Sequence, residues 1–265
     1  MTADRTFCRP ERIAYGPGEW QFGDLRWPER EGFVPLIVLV HGGFWKPQHG
    51  LDLMNDMAED LCARGLATWN IEYRRTGHPG GGWPGTLEDV AAALDHVRQL
   101  ARVHAVDVGR VVTVGHSAGG HLALWLAARH RLPRDHQALV GATPLSLAGA
   151  ISLAGVSDLA HMWRARPVDS PVSNFLGGSP AEVPDRYRLA SPAEWVPLGV
   201  PQILFHGTAD DVVPCDISRD YQRRAAALGE PVTYVELADV DHMPVIDPAS
   251  SVWPQIVQAL TGLLV

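Results

Sequence analysis

Residues 111–123 read Val-Val-Thr-Val-Gly-His-Ser-Ala-Gly-Gly-His-Leu-Ala, and no other stretch limits the fold of this chain as tightly. A short β-branched run, bounded in front by Gly109–Arg110, predicts a buried strand. The Ala-rich run that follows, with Leu122, Leu124, Trp125 and Leu126, predicts a helix. A G-x-S-x-G pentapeptide lies between them. A strand that turns at once into a helix needs small residues where the two backbones pass, and Gly115 and Gly119 supply that room. The same turn strains Ser117 and pushes its hydroxyl out above the sheet. The N–H groups at the helix start stay free to face an anion.

The rest of the chain repeats the alternation of strand and helix. Strands are expected over 36–40, 67–73, 147–153, 202–205 and 232–237, with a weaker edge strand over 21–27. Helices are expected over 51–64, 86–103, 218–228 and 251–264. Such alternation implies an α/β fold: a mostly parallel central sheet with helices on both faces. Residues 159–200, rich in Pro, Gly, Arg and Asp, predict short helices and loops forming a small cap or none. No linker or internal repeat divides the 265 residues, so one domain spanning 1–265 is expected. Four loops fall at the carboxyl ends of strands, where open α/β sheets bind ligands: 41–45, 115–119, 206–211 and 239–243.

Composition narrows the partners. A net charge of −8, dispersed along the chain, argues against nucleic acid and anionic membranes. No apolar run approaches spanning length, and the first twenty residues hold no signal-peptide h-region. Cys8, Cys62 and Cys215 lie far apart and suggest no paired framework, which predicts a reducing, cytoplasmic setting. The partner expected is a small molecule; a homodimer is left open.

A serine hydroxyl is a poor nucleophile near neutral pH and needs a base, which in turn needs an orienting acid. Ser117, Asp210 and His242 occur in the order nucleophile, acid, base. His242 is the last of twelve histidines and follows the last predicted strand. Asp210 completes His-Gly-x-x-Asp after a strand; Asp211 and Asp158 are the alternative acids, and if not catalytic they read as a solvated turn residue and a helix cap. The backbone N–H groups of Ala118, Gly43 and Phe44 are the candidate oxyanion donors. Trp45, Trp83, His116 and Met243 are expected to line a substrate pocket. His41 and His121 are read as structural. His41, His49 and Asp52 fit no compact ligand motif, so no metal is expected, and no nucleotide fingerprint calls for a cofactor.

Together these residues resemble the α/β-hydrolase superfamily, and more narrowly its kynurenine formamidase (arylformamidase)-like and esterase branches, over about residues 13–264. HGGFW (41–45) is similar to the His-Gly-Gly-aromatic-Trp segment of that branch, GHSAGGHLA to its elbow, HGTADDVVP to its acid loop and Asp241–His242 to its histidine loop. Glu72–Tyr73–Arg74 resembles its Asp-Tyr-Arg stretch. The resemblance implies a serine hydrolase that cleaves small esters or aryl formamides through an acyl-enzyme. Two rivals remain: a peptidase related to prolyl oligopeptidases, against which the missing propeller-like repeats count, and a binding protein on an inactive hydrolase scaffold.

Overall fold

The structure is a computed structural model that describes residues 8–265. Residues 1–7, part of the stretch read above for a leader, lie outside the described residues.

Among the described residues one sheet holds β1 (Glu11–Ala14), β2 (Phe22–Arg26), β3 (Val34–Val40), β4 (Ala67–Ile71), β5 (Val106–His116), β6 (Gly149–Leu153), β7 (Gln202–Gly207) and β8 (Val232–Leu237). Their spatial order is β1-β2-β4-β3-β5-β6-β7-β8. The pairs β1–β2 and β2–β4 are antiparallel, and every later pair is parallel. The helices are α1 (Asn55–Ala63), α2 (Gly85–Asp95), α3 (Val97–Val103), α4 (Ala118–Ala128), α5 (Gln137–Val140), α6 (Leu159–Ala165), α7 (Pro171–Leu176), α8 (Pro184–Ala190), α9 (Asp216–Ala227) and α10 (Trp253–Gly262). This is the expected α/β-hydrolase fold.

Every residue of β3 is buried because helices cover both faces of the sheet. Val34, Leu36, Val38 and Val40 share one core with Leu87 and Leu94 of α2 and Trp125 of α4. Ile37 and Leu39 share the other with Met57 and Leu61 of α1 and Trp253 and Ile256 of α10. All eleven residues of α4 are buried, which accounts for a helix that is apolar all round.

Several boundaries differ from the sequence reading. The 21–27 strand is not an edge, because β1 pairs outside it. The strand before Ser117 begins at Val106, where Asp107, Gly109 and Arg110 had hidden the apolar pattern. The helix expected over 86–103 is two, α2 and α3, broken at His96 beside Trp69; a periodicity count does not register a one-residue break. The 51–64 helix starts as a 3₁₀ turn, Leu51–Met54. The 159–200 segment contains α6, α7 and α8, with proline opening the last two.

The cysteines need a correction. Cys8 and Cys62, expected to be unpaired, form a disulfide across 54 positions, while Cys215 is free. Their separation in sequence concealed a proximity that only the folded chain creates. The ground for a reducing setting falls with it. No helix among the described residues is long and apolar enough to cross a membrane.

Candidate active site

Ser117 sits between β5 and α4 with φ 57° and ψ −119°, a region that residues with a side chain rarely enter. Its neighbours over-determine that conformation. The Ser117 N–H donates to Leu153 O at 2.9 Å, and the Ser117 carbonyl accepts from His121 N at 3.2 Å and Val156 N at 3.3 Å. The serine therefore cannot relax without displacing β6 and α4.

The loop after β3 lies directly against it. A Cβ on Gly42 would fall 2.9 Å from the Ser117 Cβ and 2.8 Å from the His116 carbonyl oxygen, so no larger residue fits there. Gly43, Phe44 and Trp45 all have positive φ, at 106°, 51° and 56°. Three successive residues in that region turn the backbone sharply, in the segment where the candidate donors Gly43 and Phe44 lie. Charges buried beneath the loop hold it. Glu72 accepts from His41 Nε2 at 2.9 Å, from the Tyr73 amide at 2.9 Å and from the Leu51 amide at 3.2 Å. Arg75 pairs with Glu72 at 3.4 Å and donates to the His49 carbonyl. The Tyr73 hydroxyl donates to His41 O at 2.8 Å, and its ring stacks on the His41 imidazole. Burial works to raise the Glu72 pKa, but the bond to His41 and attraction to His41 and Arg75 outweigh it. His41 is thus tied into the scaffold beneath the loop through Glu72 and Tyr73.

At the other side of Ser117, His242 Nδ1 donates to Asp210 Oδ2 at 2.7 Å. The Asp210 side chain is wholly buried. Its Oδ1 accepts from the Val212 and Val213 amides at 2.9 and 2.8 Å, an Asx-type turn closed on itself. A second imidazole, His206, places Nε2 3.3 Å from Oδ2. Burial would raise the Asp210 pKa, yet the bonds from His206, His242 and the Val213 amide hold the carboxyl well below its usual range. Asp211 is exposed, and Asp158 caps α6 by accepting from the His161 amide at 2.9 Å, the alternative role expected of it.

His116 links the two sides. Its Nε2 donates to the His242 carbonyl at 2.9 Å, and the rings lie 4.5 Å apart. Burial, then the nearness of His242, pushes the His116 pKa down to about 3. The ring is therefore neutral at any ordinary pH. Among the described residues the Ser117 hydroxyl makes no hydrogen bond to His242; nucleophile–base contacts often close only with substrate bound.

The four expected pocket residues do not stay together at the surface. Met243 is half exposed beside His242, and Trp83 is half-buried with its amide on Phe175 O. Trp45 is fully buried, stacked 4.6 Å from Phe175, and His116 is buried too, so neither offers a face to a ligand. The strand–loop context put both near Ser117 but carried no sign of which way they point. Sequence reasoning also missed Arg166. Its Nη2 donates to Asp211 O at 2.6 Å and its guanidinium lies 5.8 Å from the Phe44 ring, bridging the 159–200 segment to two loops of the site. No cluster of three or more His, Cys, Asp or Glu side chains arranged to hold a metal ion occurs among the described residues.

A family model described as BD-FAE matches residues 24–225. The chain is similar to esterase LipC of Mycobacterium tuberculosis, at 27% identity over 90% of this chain and 60% of that protein. It is similar also to esterase LipQ of the same organism, at 28% identity over 87% of this chain and 56% of that protein. It thus spans little more than half the length of these curated relatives. Among solved structures, a truncated carbohydrate esterase from gut microbiota superposes with TM-score 0.85 at 22% identity, covering 98% of both chains. An esterase from Thermogutta terrifontis superposes with TM-score 0.74 at 22% identity, covering 96% of this chain and 90% of that one.

Proposed function

This chain belongs to the BD-FAE family, within the α/β-hydrolase esterases, and on that premise we propose that it is a serine hydrolase of the carboxylesterase type. Ser117 attacks the carbonyl carbon of an ester, and His242 Nε2 takes the hydroxyl proton. Asp210 holds His242 in the Nδ1–H tautomer and stabilises the imidazolium that forms. The negative charge on the former carbonyl oxygen is met by the amides of Ala118, Gly43 and Phe44. As the tetrahedral adduct collapses, the bond to the leaving oxygen breaks and His242 returns its proton to that oxygen. Water, deprotonated by His242, then attacks the acyl-serine by the same route and releases the acid. The observation that carries the reading is the chain of contacts Asp210–His242–His116, which ends beside a strained Ser117.

For the substrate, short acyl groups on an aromatic leaving group fit best, esters first and aryl formamides second. Phe44 stands in the oxyanion segment where longer-chain relatives often carry glycine, and half-buried Phe44 narrows the acyl side. The formamide reading is favoured by HGGFW. An aryl ring also drains the nitrogen lone pair of a formanilide and makes it easier to cleave than an alkyl amide. The relatives named above are esterases, which favours ester over peptide cleavage. The test is kcat/KM for acetyl, butyryl and octanoyl 4-nitrophenyl esters beside N-formylkynurenine. Acetyl should be fastest, with measurable formamide turnover. Octanoyl fastest with an inert formamide makes the protein a general carboxylesterase, and no turnover of any of the four overturns the hydrolase reading.

A further inference from the structure

We propose that His206, with Ser218 behind it, is a positioning residue that locks the Asp210 carboxylate for the reaction. The proposal rests on the reading of Asp210 and His242 as acid and base.

His206 lies near the end of β7 and is completely buried. Its Nε2 is 2.9 Å from Val213 O and 3.3 Å from Asp210 Oδ2. A carbonyl and a carboxylate only accept, so Nε2 carries the hydrogen and donates to both. Its Nδ1 is 2.7 Å from Ser218 Oγ on α9, a residue with no exposure of its own. With the hydrogen on Nε2, Nδ1 is free to accept from the Ser218 hydroxyl, and this contact anchors the ring to α9. The arrangement is a line: Ser218 hydroxyl, His206, Asp210, His242.

The carboxylate is then held on four sides. Oδ1 takes two amides and Oδ2 takes two imidazoles, one from each flank. A carboxylate so saturated cannot rotate away from His242 when that ring accepts a proton. Of the two imidazoles, His242 gains and loses the catalytic proton, whereas His206 is fixed by α9 and keeps its own. The His206 bond steadies the carboxylate from the side away from the catalytic proton. A side chain that merely filled the space under the turn would need no polar atom, and burying one is costly unless it is bonded.

The test compares His206→Leu, His206→Gln, Ser218→Ala and Asp210→Asn in the whole chain, with thermal unfolding as the folding control. In His206→Leu, kcat for 4-nitrophenyl acetate should fall on the order of 10- to 100-fold, the scale of one charge-assisted hydrogen bond. KM should change far less, because His206 touches no substrate. His206→Gln, whose amide can donate to the same oxygen, should recover most of the loss, and Ser218→Ala should fall between. Should His206→Leu not fold, the ring ¹⁵N shifts of the wild-type protein decide: the hydrogen must reside on His206 Nε2. A folded His206→Leu enzyme with unchanged kcat, a Gln variant no better than Leu, or hydrogen on Nδ1 overturns the proposal. An active Asp210→Asn enzyme overturns the underlying triad instead.

Discussion

His116 donates a hydrogen bond from Nε2 to the carbonyl oxygen of His242 at 2.9 Å, joining residues 126 positions apart. The strand that delivers Ser117 also delivers His116, and His116 in turn fixes the loop that carries His242. The registration of β5 in the sheet thus positions two candidate catalytic groups together.

The nucleophile should be unique. Ser117→Ala is expected to lower 4-nitrophenyl acetate turnover by several orders of magnitude with the fold intact, as triad serines do elsewhere. A fluorophosphonate probe, followed by peptide mapping, should label Ser117 in the wild type. Label on a different serine would remove the assignment.

The two adjacent acids should behave differently. Asp210 is buried and bonded to His242, while Asp211 is exposed and contributes its carbonyl to Arg166. Asp210→Asn should cost about 10⁴-fold in kcat by favouring the wrong imidazole tautomer, the magnitude found when the orienting aspartate of a serine protease is changed in the same way. Asp211→Asn should cost less than about tenfold, since its carboxylate is solvated. Turnover of one ester by the two variants decides; equal losses would exclude the distinction.

Stability should fall in acid for an identifiable reason. Burial pushes His116 down to about 3 and His121 to about 4, against about 6.5 for a free imidazole. Below pH 6.5 the unfolded chain therefore binds more protons than the folded one. The stabilisation is complete above that pH and is lost as pH falls toward the folded values. Each ring contributes a slope of about 1.4 kcal/mol per pH unit within its window. Asp210, held low, adds a loss of the same sign only below about pH 4. Denaturant unfolding between pH 7 and 4.5 should show a shallower slope in His121→Leu than in wild type. Equal slopes would contradict the account.

Two glycines should respond in opposite directions to alanine. A Cβ on Gly119 would strike the Val40 carbonyl and come within 2.5 Å of the His41 carbonyl oxygen, both rigid backbone at the end of β3. Gly119→Ala should cost more than about 3 kcal/mol and abolish turnover, as overpacking against backbone does. Gly262, in the last turn of α10, meets nothing within 4 Å. Gly262→Ala should raise the melting temperature by about 1–4 °C through reduced unfolded-state entropy. Thermal scans of both variants test the contrast.

What the sequence alone determined was the local chemistry. A strand, G-x-S-x-G and a helix leave no conformation for Ser117 but a strained turn, because backbone sterics act over a few residues. Asp210 stood out because it completes His-Gly-x-x-Asp after a strand; the turn its carboxylate closes on Val212 and Val213 is seen only in the folded loop. The α/β alternation was legible because burial on both faces of a sheet leaves uninterrupted apolar runs such as Val34–Val40. Only the tertiary structure decided the rest. It turned Trp45 and His116 inward, paired Cys8 with Cys62, covered β2 with β1, and set His206 and Ser218 behind Asp210. Each of these depends on contacts between elements that chain spacing leaves free. Side-chain direction and long-range pairing are chosen by packing of the whole sheet and its helices, and no window of sequence contains that information.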